Sequence, residues 1–362
     1  MVRARQRDIA QAAGVSEATV SRVLNDHPGV SEATRQSVMV ALDVLGFERP
    51  TYLRRKSVGL VGLILPELTN PIFPAFAQLI STALARRGFI PILCTQTAGG
   101  VHEDDYVQQL LDHGVAGMIN ISGLHADSDS KPGRYFRLRE LGMPLVLVNG
   151  AIDGLDVPTI ANDDVAAIEM AIAHLTELGH VRIGLAAGPD RFIPVIRKLW
   201  GFRGAMARHT SLSRAEIDDL IVHELFTVDG GAAAAARLLD RGVTAIAAAS
   251  DLMALGAVRA VRARGLRVPE DVSVIGYDDS PLIAFSDPPL TTIRQNVTAM
   301  SETAVNSLVE IIGGSDSRAK EFTFRPELVV RGSTAPCVVQ ARERHTPRAR
   351  GLRAAKVSDE RP

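Results

Sequence analysis

From residue 58 onward, short uninterrupted apolar runs alternate with stretches of helical period, and this alternation limits the fold more than any other feature of the chain. Runs at 58–65, 90–94, 115–121, 145–148, 181–187, 221–225, 245–249, 272–277, 291–293 and 321–330 read as strands, the first a continuous apolar stretch of the kind buried on both faces. Between them lie helical stretches at 72–87, 104–113, 164–178, 196–209, 230–241, 252–264 and 297–312. Strand and helix in turn at this spacing predict parallel sheets with helices on both faces. About ten strands exceed what one compact doubly wound sheet needs. Two lobes, each with its own sheet, are therefore expected, with a cleft between their strand ends.

The first 46 residues follow a different pattern. Ile9, Ala10 and Ala13 share one face of a short helix, and Val20, Val23 and Leu24 share one face of a second. Gly14 stands between them, where a sharp turn favours a left-handed backbone. Ser16 suits the cap of the second helix. A third helix is expected from its cap Ser31, through Val38, Ala41, Leu42 and Leu45, to Gly46. Helix, glycine turn and helix with a polar outer face make a helix-turn-helix. Residues 47–57 form a basic linker.

Charge agrees with one end of the chain meeting a polyanion. Residues 1–57 hold nine Lys/Arg against six Asp/Glu, and residues 338–362 hold seven against three, leaving twenty-four against thirty-two between them. Apolar residues make up 46% of the chain, enough for a substantial core, yet no run approaches the ~18 residues of a membrane span. No secretory signal is visible, and Cys94 and Cys337 are too few for a disulfide framework, so a cytoplasmic protein is expected. Ser-His-Asp, HExxH, P-loop and GxGxxG patterns are missing, which argues against an enzyme and against a cofactor.

The string Asp8-Ile9-Ala10, then Ala13-Gly14-Val15-Ser16, then Thr19-Val20-Ser21-Arg22-Val23-Leu24-Asn25 resembles the N-terminal signature of LacI/GalR-type bacterial transcription regulators. The likeness continues in Pro66-Glu67-Leu68-Thr69-Asn70-Pro71-Ile72-Phe73, in His174-Leu175 with Gly179-His180, in 269–279 and in 289–293, and spans residues 6–335. It implies a small all-α head (1–46), a hinge (47–57) and a two-lobed α/β core like a periplasmic binding protein (58–335). The N-lobe would take about 58–160 plus 293–325, and the C-lobe about 161–292 plus 326–335. Residues 336–362 are expected to form a disordered basic tail.

The resemblance also implies a function: a homodimeric regulator, expected to be a repressor, that binds a pseudo-palindromic operator in double-stranded DNA. A small molecule in the core cleft, by family habit a sugar or related metabolite, would control it. Glu17, Ala18 and Arg22 match the base-reading positions, Arg22 suited to guanine and Glu17 to cytosine. Ser16 opens the same helix, and Thr19, Ser21 and Asn25 suit phosphates and positioning. In the linker Leu53 is the candidate minor-groove wedge, with Arg54 and Arg55 beside it. This linker is about three residues shorter than the family pattern. For the effector the matching positions are Asn70, Phe73, Asn162, Lys198, Phe226, Asp251 and Asp278. Lys198 stands where the family has arginine, and Asn162-Asp163 reverses a family Asp-Asn pair. Asp251 also suits a helix cap.

Overall fold

The computed structural model describes residues 6–25, 27, 29–46, 58–96, 99–315 and 321–337. Leu53, Arg54 and Arg55 therefore lie outside the described residues, as does the rest of the linker.

The head contains α1 (Gln6–Ala13), α2 (Glu17–Leu24) and α3 (Glu32–Val44). Gly14 takes φ +66°, and the N–H of Val15 returns to the Ala10 carbonyl at 3.0 Å, closing α1 in a left-handed turn. Ser16 Oγ accepts from the Thr19 N–H (3.1 Å), and Ser31 Oγ caps α3 through the Thr34 N–H in the same way. Ile9, Ala10, Val20, Val23, Val38, Met39, Ala41 and Leu42 form the core of the three helices. Leu45, expected in that stripe, is the C-cap of α3 and largely exposed, while Met39 is buried.

The core holds two six-stranded sheets. The first runs β11-β5-β4-β3-β1-β2, from β1 (Gly59–Leu65), β2 (Phe89–Thr95), β3 (Gly117–Ile121), β4 (Leu145–Val148), β5 (Thr159–Asn162) and β11 (Glu321–Phe324). The second runs β12-β10-β9-β8-β6-β7, from β6 (Ile183–Ala187), β7 (Ile221–His223), β8 (Ala245–Ala248), β9 (Ser273–Asp278), β10 (Thr291–Arg294) and β12 (Glu327–Val329). Within the second sheet β12 alone runs antiparallel, against β10.

Helices α4 (Ile72–Arg86) and α12 (Val297–Ile312) pack together on the first sheet, joined in that lobe by α5 (Glu103–Asp112) and α6 (Gly133–Glu140). Around the second sheet lie α7 (Asp164–Glu177), α8 (Ile193–His209), α9 (Arg214–Asp219), α10 (Val228–Asp240) and α11 (Asp251–Ala263), with α7 on α8 and α10 on α11.

The chain passes between lobes after β5, after β10 and between β11 and β12. The run at 321–330, read as one strand, divides at Arg325-Pro326, and its two halves join different sheets. Proline has no N–H to give to a ladder, which suits the break. Strand β5 and helices α6 and α9 were not expected; each is eight residues or shorter. Residues 336 and 337, expected in the tail, belong to the second lobe. Cys337 is buried, and its N–H donates to the Leu178 carbonyl at 2.8 Å.

Candidate ligand cleft and nucleic-acid interface

Where the carboxyl ends of both sheets face each other, a cavity of about 520 Å³ opens between the lobes. Loops after parallel strands supply its walls, the usual place for a ligand in an open α/β fold. The loop after β1 brings Asn70 and Phe73, and the chain leaving β2 brings Gln96. Ser122 follows β3 and Asn149 follows β4. The second lobe contributes Phe192 and Lys198 from the start of α8, Phe226 after β7, Ser250 after β8, and Tyr277 with Asp278 from β9. Gln295 reaches in from the second crossover.

Backbone strain concentrates here. Among the described residues the non-glycine residues with positive φ are Ser122 (+46°), Asn149 (+70°), Asp278 (+117°) and Asp279 (+60°). All four follow or end strands that point at the cavity, and three of them line it. Left-handed backbone at non-glycine residues persists where surrounding structure holds it, and such positions gather at functional sites. The Asn149 amide N–H donates to Ser122 Oγ at 3.0 Å, tying two of the strained corners together.

Of the seven residues expected at the ligand, Asn70, Phe73, Lys198, Phe226 and Asp278 line the cavity. Asn162 and Asp251 do not. Asn162 ends β5, is buried, and donates its amide N–H to the Tyr277 hydroxyl at 2.7 Å. The carboxyl of Asp251 is taken up by the Ser280 N–H (2.6 Å) and the Thr292 hydroxyl (2.7 Å). Asp251 is not the helix cap either, for Ser250 holds that position through the Met253 N–H.

Lys198 is held by a residue that sequence reasoning missed. Its Nζ lies 2.5 Å from Asp164 Oδ1 and 3.8 Å from the centroid of the Tyr277 ring, and the Tyr277 hydroxyl donates to the same Asp164 oxygen at 2.6 Å. All three side chains are buried, so the ammonium is desolvated on both its ionic and its aromatic contact. Burial, and then the charge of Asp164, push the Tyr277 hydroxyl far up. Burial likewise pushes the Asp278 carboxyl well up, assisted by nearby Asp251 and opposed by the hydrogen bond from Gln295 (2.7 Å).

Phe192 and Phe226 stand 6.3 Å apart on the second-lobe wall, opposite Phe73 on the first. Flat apolar faces edged by amides, hydroxyls and a held ammonium suit a ligand with apolar faces and many hydroxyls. Tyr277 lies within the matched stretch 269–279 and was readable there. Phe192, Gln96, Ser122 and Asn149 had no local signal.

In the head, Ser16, Glu17, Ala18, Arg22 and Asn25 are exposed, and Thr19 and Ser21 are half-buried. Ser16 Oγ is occupied as a cap, and the Asn25 amide folds back onto the Ser21 carbonyl at 2.8 Å. Glu17 and Ala18 remain as outward side chains at the start of α2, and Arg22 in its last turn.

Residues 7–49 match the model of bacterial regulatory proteins of the lacI family, and residues 172–334 match a periplasmic binding protein-like domain. The HTH-type transcriptional regulator MalR of Streptomyces coelicolor is 58% identical over 332 residues, 91% of this chain and 96% of that protein. The chain belongs to the LacI family of bacterial transcriptional regulators. Members of this family are regulators rather than enzymes, in keeping with the missing catalytic motifs. Among solved structures, a transcriptional regulator CelR–cellobiose complex has a TM-score of 0.69 at 32% identity, covering 91% of this chain and all of that one. A lac repressor dimer bound to operator and the anti-inducer ONPF has a TM-score of 0.66 at 26% identity, covering 92% and 100%. The LacI-family head and the two-lobed core are thus both present, as the resemblance implied.

Proposed function

We propose that this LacI-family regulator acts in the cytoplasm as a homodimeric repressor that binds a pseudo-palindromic operator and is controlled by a sugar in the cleft between the lobes. The observation that carries the ligand is the cavity itself, with phenylalanines on both lobes, hydroxyl-binding amides and strained strand ends. The sugar complex of a structural neighbour supports the class, and the operator-bound dimer of another supports the mode of DNA binding. Glu17, Ala18 and Arg22 read bases, while Thr19, Ser21 and Asn25 set on the phosphates the helix that Ser16 caps. Leu53, with Arg54 and Arg55, enters the minor groove at the operator centre. Phe73, Lys198, Phe226, Asp278 and Asn70 touch the sugar. Closing the lobes on it changes how the paired heads are held, which needs a coupling of only about 1–3 kcal/mol.

The operator comes from pulling down genomic DNA with the protein, and its affinity is read by fluorescence anisotropy. A panel of mono-, di- and trisaccharides that includes cellobiose and ribose is then added. One of them is expected to change operator affinity by about 5-fold to 150-fold. Arg22→Ala is expected to weaken operator binding by about 1–3 kcal/mol and relax preference at one base pair of each half-site. A protein indifferent to every sugar, or an Arg22→Ala protein with unchanged preference, contradicts the corresponding half of the proposal.

A further inference from the structure

Behind the first-lobe wall lies a buried carboxyl group that does not itself line the cavity. Glu103 opens α5 and is wholly buried. Its Oε1 accepts from Asn120 Nδ2 (3.2 Å) and from the Tyr135 hydroxyl. Its Oε2 accepts from the Leu124 backbone N–H (2.9 Å) and from Gln96 Nε2 (2.7 Å). Four segments converge on it: β3, α6, the short 3-10 turn Leu124–Ala126 and the chain leaving β2. A Cβ on Gly123 would stand 2.6 Å from Oε2, so only glycine lets the turn lie this close to the carboxyl.

Of the four donors, Gln96 alone also lines the cavity. Oε2 accepts from the Leu124 N–H, and Gln96 Nε2 gives it a second N–H at 2.7 Å. Gln96 must then turn its NH2 group toward Glu103. Its carbonyl oxygen, the other end of the same amide, is then turned from Glu103 and can accept from a ligand in the cleft, beside the second N–H of the NH2 group. We propose that Glu103 is a positioning residue that fixes Gln96 as a hydrogen-bond acceptor on the first-lobe wall, so that the cleft selects a ligand donating a hydroxyl at that point. The selectivity rests on reading the cleft as a sugar site; the positioning does not.

Two measurements separate those parts. In full-length protein labelled with 15N-glutamine, the Gln96 side-chain amide is assigned by its loss in Gln96→Leu. Its exchange with water is expected to be at least tenfold slower than that of exposed glutamines, and at least tenfold faster in Glu103→Ala. Glu103→Gln should keep the slow exchange. The Leu124 N–H turns the new carbonyl toward Gln96, and the unpaired Asn120 Oδ1 can take the new NH2 once that amide turns over. A freely exchanging Gln96 amide in the unaltered protein or in Glu103→Gln overturns the positioning, even if Glu103→Ala does not fold.

In calorimetry with cellobiose and its single-deoxy forms, one deoxy form should bind the unaltered protein at least tenfold more weakly than cellobiose. Gln96→Leu should abolish that gap. A gap of equal size in both proteins overturns the selectivity. If neither cellobiose nor any sugar of the panel binds, the sugar reading falls, and the amide exchange still decides what Glu103 does.

Discussion

In the second lobe, α10 and α11 cross with Gly231 against the backbone of Met253 and Gly256 against the backbone of Val228, and Gly201 of α8 lies against Val165 and Ile168 of α7. In the first lobe neither α4 nor α12 contains a glycine, and the carboxyl of Glu103 with its four donors forms a buried polar centre. One lobe brings backbones together until side chains no longer fit; the other gathers segments around a hydrogen-bonded centre. The two devices respond differently to change. Close backbone packing is insensitive to pH and intolerant of added volume, whereas a polar centre tolerates a conservative swap that keeps its donors satisfied.

The largest expected effect comes from adding one methyl group to the second lobe. A Cβ on Gly231 would lie 2.1 Å from the Met253 carbonyl oxygen and 2.4 Å from its Cα, and backbone cannot rotate aside as a side chain can. Gly231→Ala should therefore force α10 from α11 and cost about 4 kcal/mol or more, the range reserved for severe core disruption. Urea unfolding followed by the fluorescence of Trp200, the sole tryptophan, which lies in this lobe, would show it. An unchanged midpoint would mean that the helix crossing adjusts freely and that the steric account of this lobe is wrong.

Next in size is the removal of the polar centre. Glu103→Ala strands four donors in a dry interior, at about 3 kcal/mol once some find water. Glu103→Gln should cost about 1 kcal/mol, since one carbonyl and one amide can still meet the four partners. Thermal unfolding of the three proteins gives the order. Equal losses for alanine and glutamine would show that shape, not hydrogen bonding, matters at this position.

The same contrast explains what could be read from the sequence. Helix-turn-helix geometry was legible because its determinants are local: Gly14 at positive φ, and Ser16 and Ser31 three residues from the N–H groups they cap. A comparable signal at Ser213 and Glu216, a reciprocal capping box that opens α9, was present and went unread. The alternation of apolar runs revealed the parallel sheets, but β5 is only four residues long and gave no run to notice.

At the cleft, Lys198 was legible and its partner Asp164 was not, since the pair lies 34 positions apart and meets only after α7 packs on α8. Asn162 was misassigned for the reverse reason. It adjoins the cleft in sequence pattern, yet the end of β5 turns its amide to the Tyr277 hydroxyl. Positive φ at Ser122 and Asn149 goes with bonds to neighbouring strands, from the Ser122 N–H to the Val148 carbonyl and from the Asn149 N–H to the Ile160 carbonyl, which no local residue pattern encodes.

Asp251 is where the contrast between lobes can be sharpened, because it places a buried carboxyl in the sterically packed lobe with two donors instead of four. A Cβ on Gly276 would stand 2.4 Å from its Oδ1, so the group has no room to withdraw. Burial, only partly offset by the Ser280 and Thr292 bonds, pushes its pKa up to about 6. An unfolded aspartate titrates near about 3.9. The folded chain therefore keeps a proton that the unfolded chain releases between those values, and stability contributed by this group falls as pH rises from about 4 to about 6. The substitution Asp251→Asn mimics the protonated form at every pH: the carbonyl oxygen of the new amide can accept the Ser280 N–H while its NH2 group donates to the Thr292 oxygen. Asp251→Asn should fall about 1 kcal/mol below the unaltered protein near pH 4, from an imperfect fit of the amide, and exceed it by about 1–2 kcal/mol at pH 7. Removing that charge also eases the upward push on Asp278, so the combined slope between pH 4 and 6 should flatten. Unfolding midpoints across that range decide the matter. Parallel curves for the two proteins would mean that Asp251 is ionised in the folded chain across the whole window and that its two hydrogen bonds outweigh its burial.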